Sequence, residues 1–290
     1  MEFLLQLLFT GLTVGSIYAL VAIGFTLIHS ASGVFNFAQG EFVMLGGMVT
    51  AWAMSCGLGL PLAAATGITV TVIVGLALNF LAIRPARDAS PVVLLIITIG
   101  ASVLIRGLTS VFLGKDFMKL PGLATSETLI VGGAVLQTQG IAVVIGVILI
   151  LIALWFFLKM TLAGKAVRAA AANRTAAILV GVNPTLIVGL CFAVSALIGA
   201  VGGILITPLT LTSYDAGTLL AIKGFAGAML GGMGNPAGPV IGGLFVGLIE
   251  AFGAGYISSE YKDAFTFVVL LLVLAARPQG ILGGSLVERV

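Results

Sequence analysis

The sequence predicts an all-α polytopic membrane protein, a helical bundle with about eight or nine transmembrane spans. Hydrophobic residues make up 60% of the chain and charged residues only 8%, whereas a soluble domain carries about 25% charged residues. The mean hydropathy is +1.26. Glycine is the third observation: 40 of 290 residues are Gly, and abundant small residues allow membrane helices to pack closely.

Apolar runs recur along the whole chain, and each helical span needs about 20 such residues to cross a bilayer. They predict spans at 3–28, 39–57, 61–83, 91–113, 139–158, 185–206, 218–234, 237–256 and 264–277. The runs at 218–234 and 264–277 are short, so eight or ten crossings, or a re-entrant segment, also remain open. Residues 1–290 then form a single transmembrane domain. The opening Met1-Glu2-Phe3 lacks a basic n-region, which favours a retained first span over a signal peptide.

The placement of charges predicts the orientation, because loops on the cytoplasmic side are enriched in Lys and Arg. With the N-terminus outside, the inner loops hold Asp88 and Glu288 against a larger basic set, Arg84, Arg87, Lys159, Lys165, Arg168, Arg174, Arg277 and Arg289. The outer side is mainly acidic: it holds Lys115, Lys119 and Lys262 against Glu2, Asp116, Glu127, Asp215, Glu260 and Asp263. The basic pI therefore reports topology rather than nucleic-acid binding.

The largest basic segment is 159–183, KMTLAGKAVRAAAANRTAAILVGVN, between two apolar runs. Its Ala-rich part predicts one short helix over Thr161–Leu179, with Thr161 as N-cap and Gly181 as the stop signal. Pro184 then suits the first turn of the next membrane helix. A cytoplasmic helix of this kind can dock a soluble partner, although an ordinary basic loop explains the charge alone equally simply.

A pentapeptide that occurs twice and three breaks in the apolar runs suggest an internal repeat with a substrate path between its two halves. The pentapeptide MLGGM occurs at 44–48 and again at 229–233, on runs of opposite predicted direction. Opposed halves are typical of inverted repeats, whose interface is lined by broken helices. Polar and Gly-rich breaks at 29–40, 214–223 and 231–239 are candidate path walls, or else ordinary surface loops.

Four charges fall within or near the ends of the predicted spans, at Glu41, Arg106, Lys223 and Glu250. Each costs about 2.5–3.5 kcal/mol at mid-bilayer, so a partner, a wet cavity or snorkelling is expected. Glu41 suits the positive end of a helix dipole. Arg106 lies near a helix end and can snorkel, while Lys223 and Glu250 can pair with each other or with a partner subunit.

The sequence offers little for catalysis or for a bound cofactor. Cys56 and Cys191 are far apart in apolar runs, and His29 has no second His, so neither a disulfide nor a metal site is predicted. No GxxxxGK[ST] motif is present, so the chain is not itself an ATPase. We expect a transport subunit that is not an enzyme.

Three ordered motifs make the chain resemble the H-type permease subunits of bacterial ABC importers for branched-chain amino acids. The first runs through GSIYAL at 15–20, AIGFTL at 22–27 and NFAQGE at 36–41, with Gln39 where the family usually has His. The second lies within 161–183. The third, GGMGN at 231–235, is followed by Gly238, Pro239 and Gly242. The replacement of the family's usual His by Gln39 is expected to leave the fold unaffected but to bear on the choice of substrate.

The resemblance implies a type II ABC importer-like bundle in the bacterial inner membrane, with a cytoplasmic coupling element at 159–183. It implies a second, M-type permease, two cytoplasmic ATPase subunits that hold ATP-Mg, and an extracytoplasmic binding protein. The ATPase-coupling residues are then expected to be Thr161, Gly164, Lys165, Arg168, Ala169, Asn173, Arg174, Ala177 and Gly181. Gly164 would allow close approach to the ATPase.

The residues expected to line the substrate path are Tyr18, Asn36, Phe37, Gln39, Glu41, Gly231, Gly232 and Asn235. Branched-chain amino acids are the expected substrates. An importer for urea or short amides is the alternative, followed by an ion-coupled secondary transporter and a passive channel.

Overall fold

The computed structural model describes residues 2–122, 128–131, 133–233, 237–277 and 279–282. Its helices are α1 Glu2–Ser32, α2 Gln39–Ser55, α3 Leu60–Leu78 with a π-helical turn at Asn79–Ile83, α4 Pro91–Phe112, α5 Thr138–Met160, α6 Leu162–Ala172, α7 Arg174–Leu179, α8 Pro184–Thr210, α9 Ala216–Gly231, α10 Gly238–Tyr256 and α11 Lys262–Ala276. A small hairpin pairs β1 Thr128–Val131 with β2 Ala134–Gln137 in antiparallel register.

Every predicted apolar run coincides with a helix, and the predicted all-α membrane fold is confirmed. Among the described residues, α1, α3 with its π-helical turn, α4, α5, α8 and α10 are long and apolar enough to cross a membrane. The helices α2, α9 and α11 are shorter, with 17, 16 and 15 residues. The short runs at 218–234 and 264–277 therefore do form short helices.

The helices form two structural repeats, α1–α4 and α8–α11. Helix α1 packs against α9 and α10, and α8 packs correspondingly against α2 and α3. The two repeats also meet through α1 with α8 and α2 with α9. This exchange of contacts supports two related repeats, and the inverted orientation of the second stays a prediction.

The repeated pentapeptide MLGGM does not mark equivalent positions in these repeats. Its first copy lies in the N-terminal half of α2, whereas its second copy covers the C-terminal end of α9. The interpretation of the pentapeptide as the signature of the repeat is therefore wrong. A composition rich in Leu, Gly and Met is enough to produce it.

Glycine allows the central helices to pack backbone against backbone. A Cβ atom at Gly243 of α10 would overlap the backbone of Ala19 on α1, and one at Gly203 of α8 would overlap the carbonyl of Val43 on α2. Small residues at such crossings give membrane helices their packing contacts, since lipid supplies no hydrophobic drive between them. The central helices thus fix the position of the site described next.

Candidate functional site

The N-termini of α2 and α9 meet inside the bundle. A Cβ atom on Gly40 would overlap the carbonyl oxygen of Gly217, so the two helix ends touch through their backbones. Beyond this contact α2 packs mainly on α3 and α8, whereas α9 packs mainly on α1 and α10, so the two helices diverge from this point. The positive ends of both helix dipoles are therefore adjacent in a region that is poor in water.

Irregular backbone leads into each of these helix ends. Segment 33–38 precedes α2 and segment 211–215 precedes α9, and both contain buried residues: Val34, Asn36, Ala38, Thr212 and Ser213. The predicted breaks thus exist but are shorter than the sequence suggested, since α1 continues to Ser32 and α9 begins at Ala216. Protein, not lipid, surrounds this backbone, as its polar groups require.

Four polar side chains form a network beside the paired helix ends. The hydroxyl of Ser102 donates to Oε1 of Glu41 at 2.8 Å. One turn further along α4, Nη1 of Arg106 donates to Oγ1 of Thr218 on α9 at 2.8 Å. Both the Arg106 guanidinium and the Thr218 hydroxyl lie close enough to the Glu41 carboxylate to interact with it. Arg106 therefore points inward to α9 instead of snorkelling to a membrane surface.

Glu41 is fully buried, with 0% of its surface exposed. Its second carboxylate oxygen, Oε2, lies against Gly217, and no described group donates to it with good geometry, although the Thr218 side chain is close to the carboxylate. A buried acceptor left without a donor costs about 1–3 kcal/mol. Such a group needs an explanation, and a ligand that brings a donor such as an ammonium group would supply one.

Aromatic rings continue the site along α9. The ring of Phe225 lies 5.6 Å from Phe35 and 5.1 Å from Phe37, while Phe25 lies 5.7 Å from both Phe37 and Phe225. The backbone N–H of Phe37 donates to Thr98 on α4 at 3.2 Å, which ties the loop to that helix. Phe35, Phe37 and Phe225 remain partly exposed.

We call the region between α4 and α9 where these side chains meet the α4–α9 groove. Arg106 joins the two helices at one level, and Thr98 contacts the loop that carries Phe35 and Phe37 two helical turns away. The groove comprises Phe35, Phe37, Glu41, Ser102, Arg106, Thr218 and Phe225, of which Glu41 and Ser102 are buried. Ile222, which is exposed, follows one helical turn after Thr218 on α9.

Two of the predicted path residues, Phe37 and Glu41, lie in this groove, and two lie directly beneath it. Ser195 donates to Oε1 of Gln39 at 2.6 Å, and Nε2 of Gln39 donates to the carbonyl of Ser195 at 3.3 Å. Asn36 is buried and accepts from the N–H of Ala38 at 3.2 Å. Gln39 therefore joins the two repeats and does not line the groove surface.

The remaining predicted path residues lie elsewhere. Gly231 packs against the carbonyl of Gly238, where α9 turns into α10, and Gly232 follows with a φ of +89°. Tyr18 belongs to a separate ionic network, and Asn235 lies outside the described residues. Conversely, Arg106 and Thr218 are not among the residues that the sequence predicted to line the path. For Arg106 a signal was available, because an arginine within an apolar run needs a partner.

The separate network surrounds Lys223. Its ammonium group lies 2.7 Å from Oε1 of Glu250 and 2.7 Å from Oδ1 of Asp263. The hydroxyl of Tyr18 donates to Oε2 of Glu250 at 2.8 Å, and Lys262 lies 3.7 Å from Glu250. Of the two alternatives that the sequence left open for Lys223 and Glu250, the structure shows that they pair with each other. The network joins α11 to α9, α10 and α1.

The basic segment forms two helices, α6 and α7, rather than the single helix predicted over Thr161–Leu179. Asn173 adopts an extended conformation, with φ −157° and ψ 105°, and its Oδ1 accepts from the N–H of Ala176 at 2.9 Å. This side-chain cap starts a new helix and so ends the first one. The predicted N-cap at Thr161 is confirmed by a 2.9 Å bond from the N–H of Gly164.

The end of the segment also agrees with prediction. Gly181 has a φ of +88°, which favours glycine, and follows the end of α7. Pro184 is the first residue of α8, and Asn183 caps that helix by accepting from the N–H of Thr185 at 3.0 Å.

One face of α6 is buried and the opposite face is open. Gly164, Val167 and Ala170 are buried, and a Cβ at Gly164 would overlap the carbonyl of Phe157 on α5. Gly164 is therefore needed for packing within the chain. The remaining predicted coupling residues divide between the two faces, with Ala177 buried, Ala169 partly buried, and Lys165, Arg168, Asn173 and Gly181 exposed.

Apolar side chains lie beside these exposed charges. Leu162 and Leu179 are each 84% exposed. The side chain of Arg174 lies outside the described part of the chain. A surface that mixes basic and large apolar residues is typical of an interaction site.

Comparisons with known proteins identify the family. A family model described as "Branched-chain amino acid transport system / permease component" matches residues 7–274. The permease protein LivH of Escherichia coli K12, named for a high-affinity branched-chain amino acid transport system, is 36% identical over 304 residues, covering 99% of this chain and 98% of LivH. BraD of Pseudomonas aeruginosa, with the same description, is 36% identical over 302 residues, with the same two coverages.

A solved structure shares the fold. PsaBC from Streptococcus pneumoniae in complex with Fab contains a chain that matches with a TM-score of 0.52 and 13% identity, covering 94% of this chain and 91% of that one. At that identity the likeness concerns the fold alone. The family match extends over nearly the whole length, and we conclude that this chain belongs to the permease components of branched-chain amino acid transport systems.

Proposed function

We propose that this chain is the permease subunit of an ATP-driven importer and forms part of the translocation path for branched-chain amino acids. The near full-length identity to LivH and BraD supports this role. The structural observation that carries it is the α4–α9 groove. This groove combines a base at Arg106, an acid at Glu41 and an aromatic wall.

The chemistry of that groove suits a zwitterion with an apolar side chain. Arg106 offers guanidinium N–H groups to a carboxylate, and Glu41 holds an unpaired oxygen where an ammonium group would be favourable. Phe37, Phe225 and Ile222 supply apolar surface for a branched side chain. Because Glu41 is buried in this conformation, the ammonium contact requires the groove to open.

The groove also argues for a second permease subunit. Arg106 is only partly buried at membrane depth, and a charge there is costly when it faces lipid. A second, M-type permease packed over α4 and α9 would exclude lipid and enclose the path between the two subunits. An extracytoplasmic binding protein would deliver the substrate to the outer end of this path.

ATP hydrolysis would be coupled to transport through α6 and α7. Their exposed surface, with Lys165, Arg168, Leu162 and Leu179, is suited to a groove on a cytoplasmic ATPase. Two such subunits would hold ATP-Mg, and their closure would rock the inverted repeats between inward-open and outward-open states. The charge asymmetry of the loops supports a position of α6 and α7 on the cytoplasmic side of the bacterial inner membrane.

Capture of the intact assembly tests this function. An affinity-tagged chain is purified from its own cells, and the binding protein that accompanies it is titrated with labelled leucine, isoleucine, valine and urea. Capture of the branched-chain amino acids supports the proposal. Capture of urea alone would assign the chain to an importer for amides. Uptake by the purified chain alone under a sodium or proton gradient would show a secondary transporter.

Groove variants test the path itself. We expect Arg106→Met to lower the rate of leucine uptake by about tenfold or more, in line with about 1.5–3 kcal/mol for a hydrogen bond to a charged group. Glu41→Gln is expected to lower it similarly. Initial rates in proteoliposomes containing the complete assembly measure both effects, with ATPase activity recorded in parallel.

Val103→Ala is the matched control, because Val103 lies on the outward face of the same helix. Its uptake is expected to remain within about twofold of wild type, as for surface substitutions in general. Unchanged uptake by Arg106→Met would remove Arg106 from the path. It would also favour an uncharged substrate such as urea, which needs no carboxylate partner.

A further inference from the structure

A second polar recess lies away from the α4–α9 groove and from α6–α7. It opens where the π-helical turn after α3 meets the first turn of α8. Its polar side chains are those of Ser32, Asn79, Arg84, Arg87 and Thr185, and none of the described residues that line it is acidic. The loop charges place it at the cytoplasmic membrane interface.

The π-helical turn places Asn79, whose side chain carries an unpaired donor, at the wall of this recess. The N–H of Arg84 donates to the carbonyl of Asn79 at 2.8 Å, which closes the wide turn. The side chain of Asn79 is only 2% exposed, and its Nδ2 has no hydrogen-bond acceptor among the described residues. A buried amide that lacks an acceptor favours a ligand with acceptor oxygens. Single π-helical turns are frequent at functional sites.

The charge of the recess is positive. Arg84 has no acidic partner in the described part of the chain and lies over the ring of Phe80, 5.9 Å from its centroid. Arg87 approaches Asp88 at 3.4 Å, but both side chains are largely exposed, so that pair contributes little. The N-terminal end of the 27-residue helix α8 adds its dipole to the same point. The recess therefore favours an anion.

Apolar side chains beside the recess indicate that the anion is part of a lipid and not a free solute. Leu81 is 79% exposed, and Phe80 and Leu186 are exposed next to Arg84 and Thr185. A soluble anion would gain nothing from these residues. A phospholipid would gain both contacts, since its acyl chains follow the apolar surface while its phosphate lies at the interface.

We propose that this recess binds the headgroup phosphate of an anionic phospholipid from the cytoplasmic leaflet. Arg84 and Arg87 neutralise the charge, and the Nδ2 group of Asn79 donates to a phosphate oxygen. The acyl chains lie along Phe80 and Leu81. Basic pockets between membrane helices on the cytoplasmic side bind lipid headgroups in this manner.

Lipid binding to the purified full-length chain tests the proposal. Native mass spectrometry compares phosphatidylglycerol with phosphatidylcholine for wild type, the double variant Arg84→Gln/Arg87→Gln, and Asn79→Leu. We expect wild type to prefer phosphatidylglycerol. The double variant should bind it at least about tenfold more weakly, and Asn79→Leu severalfold more weakly, although its charge is unchanged. Circular dichroism checks the fold of each variant.

Lys159→Gln is the matched control. Lys159 is also an exposed base near the cytoplasmic interface, and it lies 4.7 Å from the ring centroid of Trp155, but it does not line the recess. An equal loss of binding in Lys159→Gln would show diffuse attraction to anionic membranes and overturn the proposal. Competition by inorganic phosphate at equal concentration would also overturn it, because the recess would then be a site for soluble anions. Neither outcome depends on transport.

Discussion

An Arg168→Glu variant is expected to reach the membrane at wild-type levels and to import no substrate. Arg168 is exposed on α6, beside the face that Gly164, Val167 and Ala170 bury against the bundle. The substitution therefore leaves internal packing intact. Reversal of a charge within a complementary interface costs several kcal/mol, which is enough to detach a docked ATPase.

Uptake and co-purification together measure this effect. Membrane levels of the variant are compared with wild type by immunoblot, labelled leucine uptake is followed in whole cells, and the ATPase subunits retained by the tagged chain are quantified. Arg277→Glu serves as the control, because Arg277 is an exposed base that is also expected on the inner side. We expect it to retain uptake. Normal uptake by Arg168→Glu would remove the coupling role of α6.

A Lys223→Met variant is expected to lose about 3–5 kcal/mol of unfolding free energy, the usual cost of removing one partner from a buried ion pair. The Lys223 side chain is only 6% exposed and lies between Glu250 and Asp263. Without it, two carboxylates face each other across α10 and α11. Destabilisation should therefore begin with separation of α11.

Unfolding in mixed micelles, followed by tryptophan fluorescence and by proteolysis near α11, measures the change. Lys262→Met provides the control, because Lys262 is 44% exposed and lies 3.7 Å from Glu250. Exposed pairs of this kind contribute about 0–1 kcal/mol. Equal losses in the two variants would contradict the assignment of Lys223 as the centre of the network.

The positions of the helices could be predicted because the bilayer itself imposes them. A run of about 20 apolar residues has few alternatives to a helix, and a cap such as Thr161 depends on neighbouring residues only. The break at Asn173 was missed for a different reason. Alanine on both sides favours an unbroken helix, whereas the Asn173 side chain stabilises a new N-terminus.

The site was less predictable, because its partners are distant in sequence. Arg106 and Thr218 are separated by 112 positions, and Tyr18 and Glu250 by 232. Local patterns identified the costly charges but not their contacts. Glu41 was correctly placed at a helix start, yet the second helix end beside it becomes visible only when the two repeats are packed together.

The meeting of Gly40 with Gly217 has a mechanical consequence. The two repeats interlock, since α1 packs on α9 and α10 while α8 packs on α2 and α3, so these two helix ends are held at a fixed distance. Even a methyl group at Gly40 or Gly217 would push them apart. Because Glu41 packs against Gly217, such a substitution would also displace the carboxylate beside Ser102.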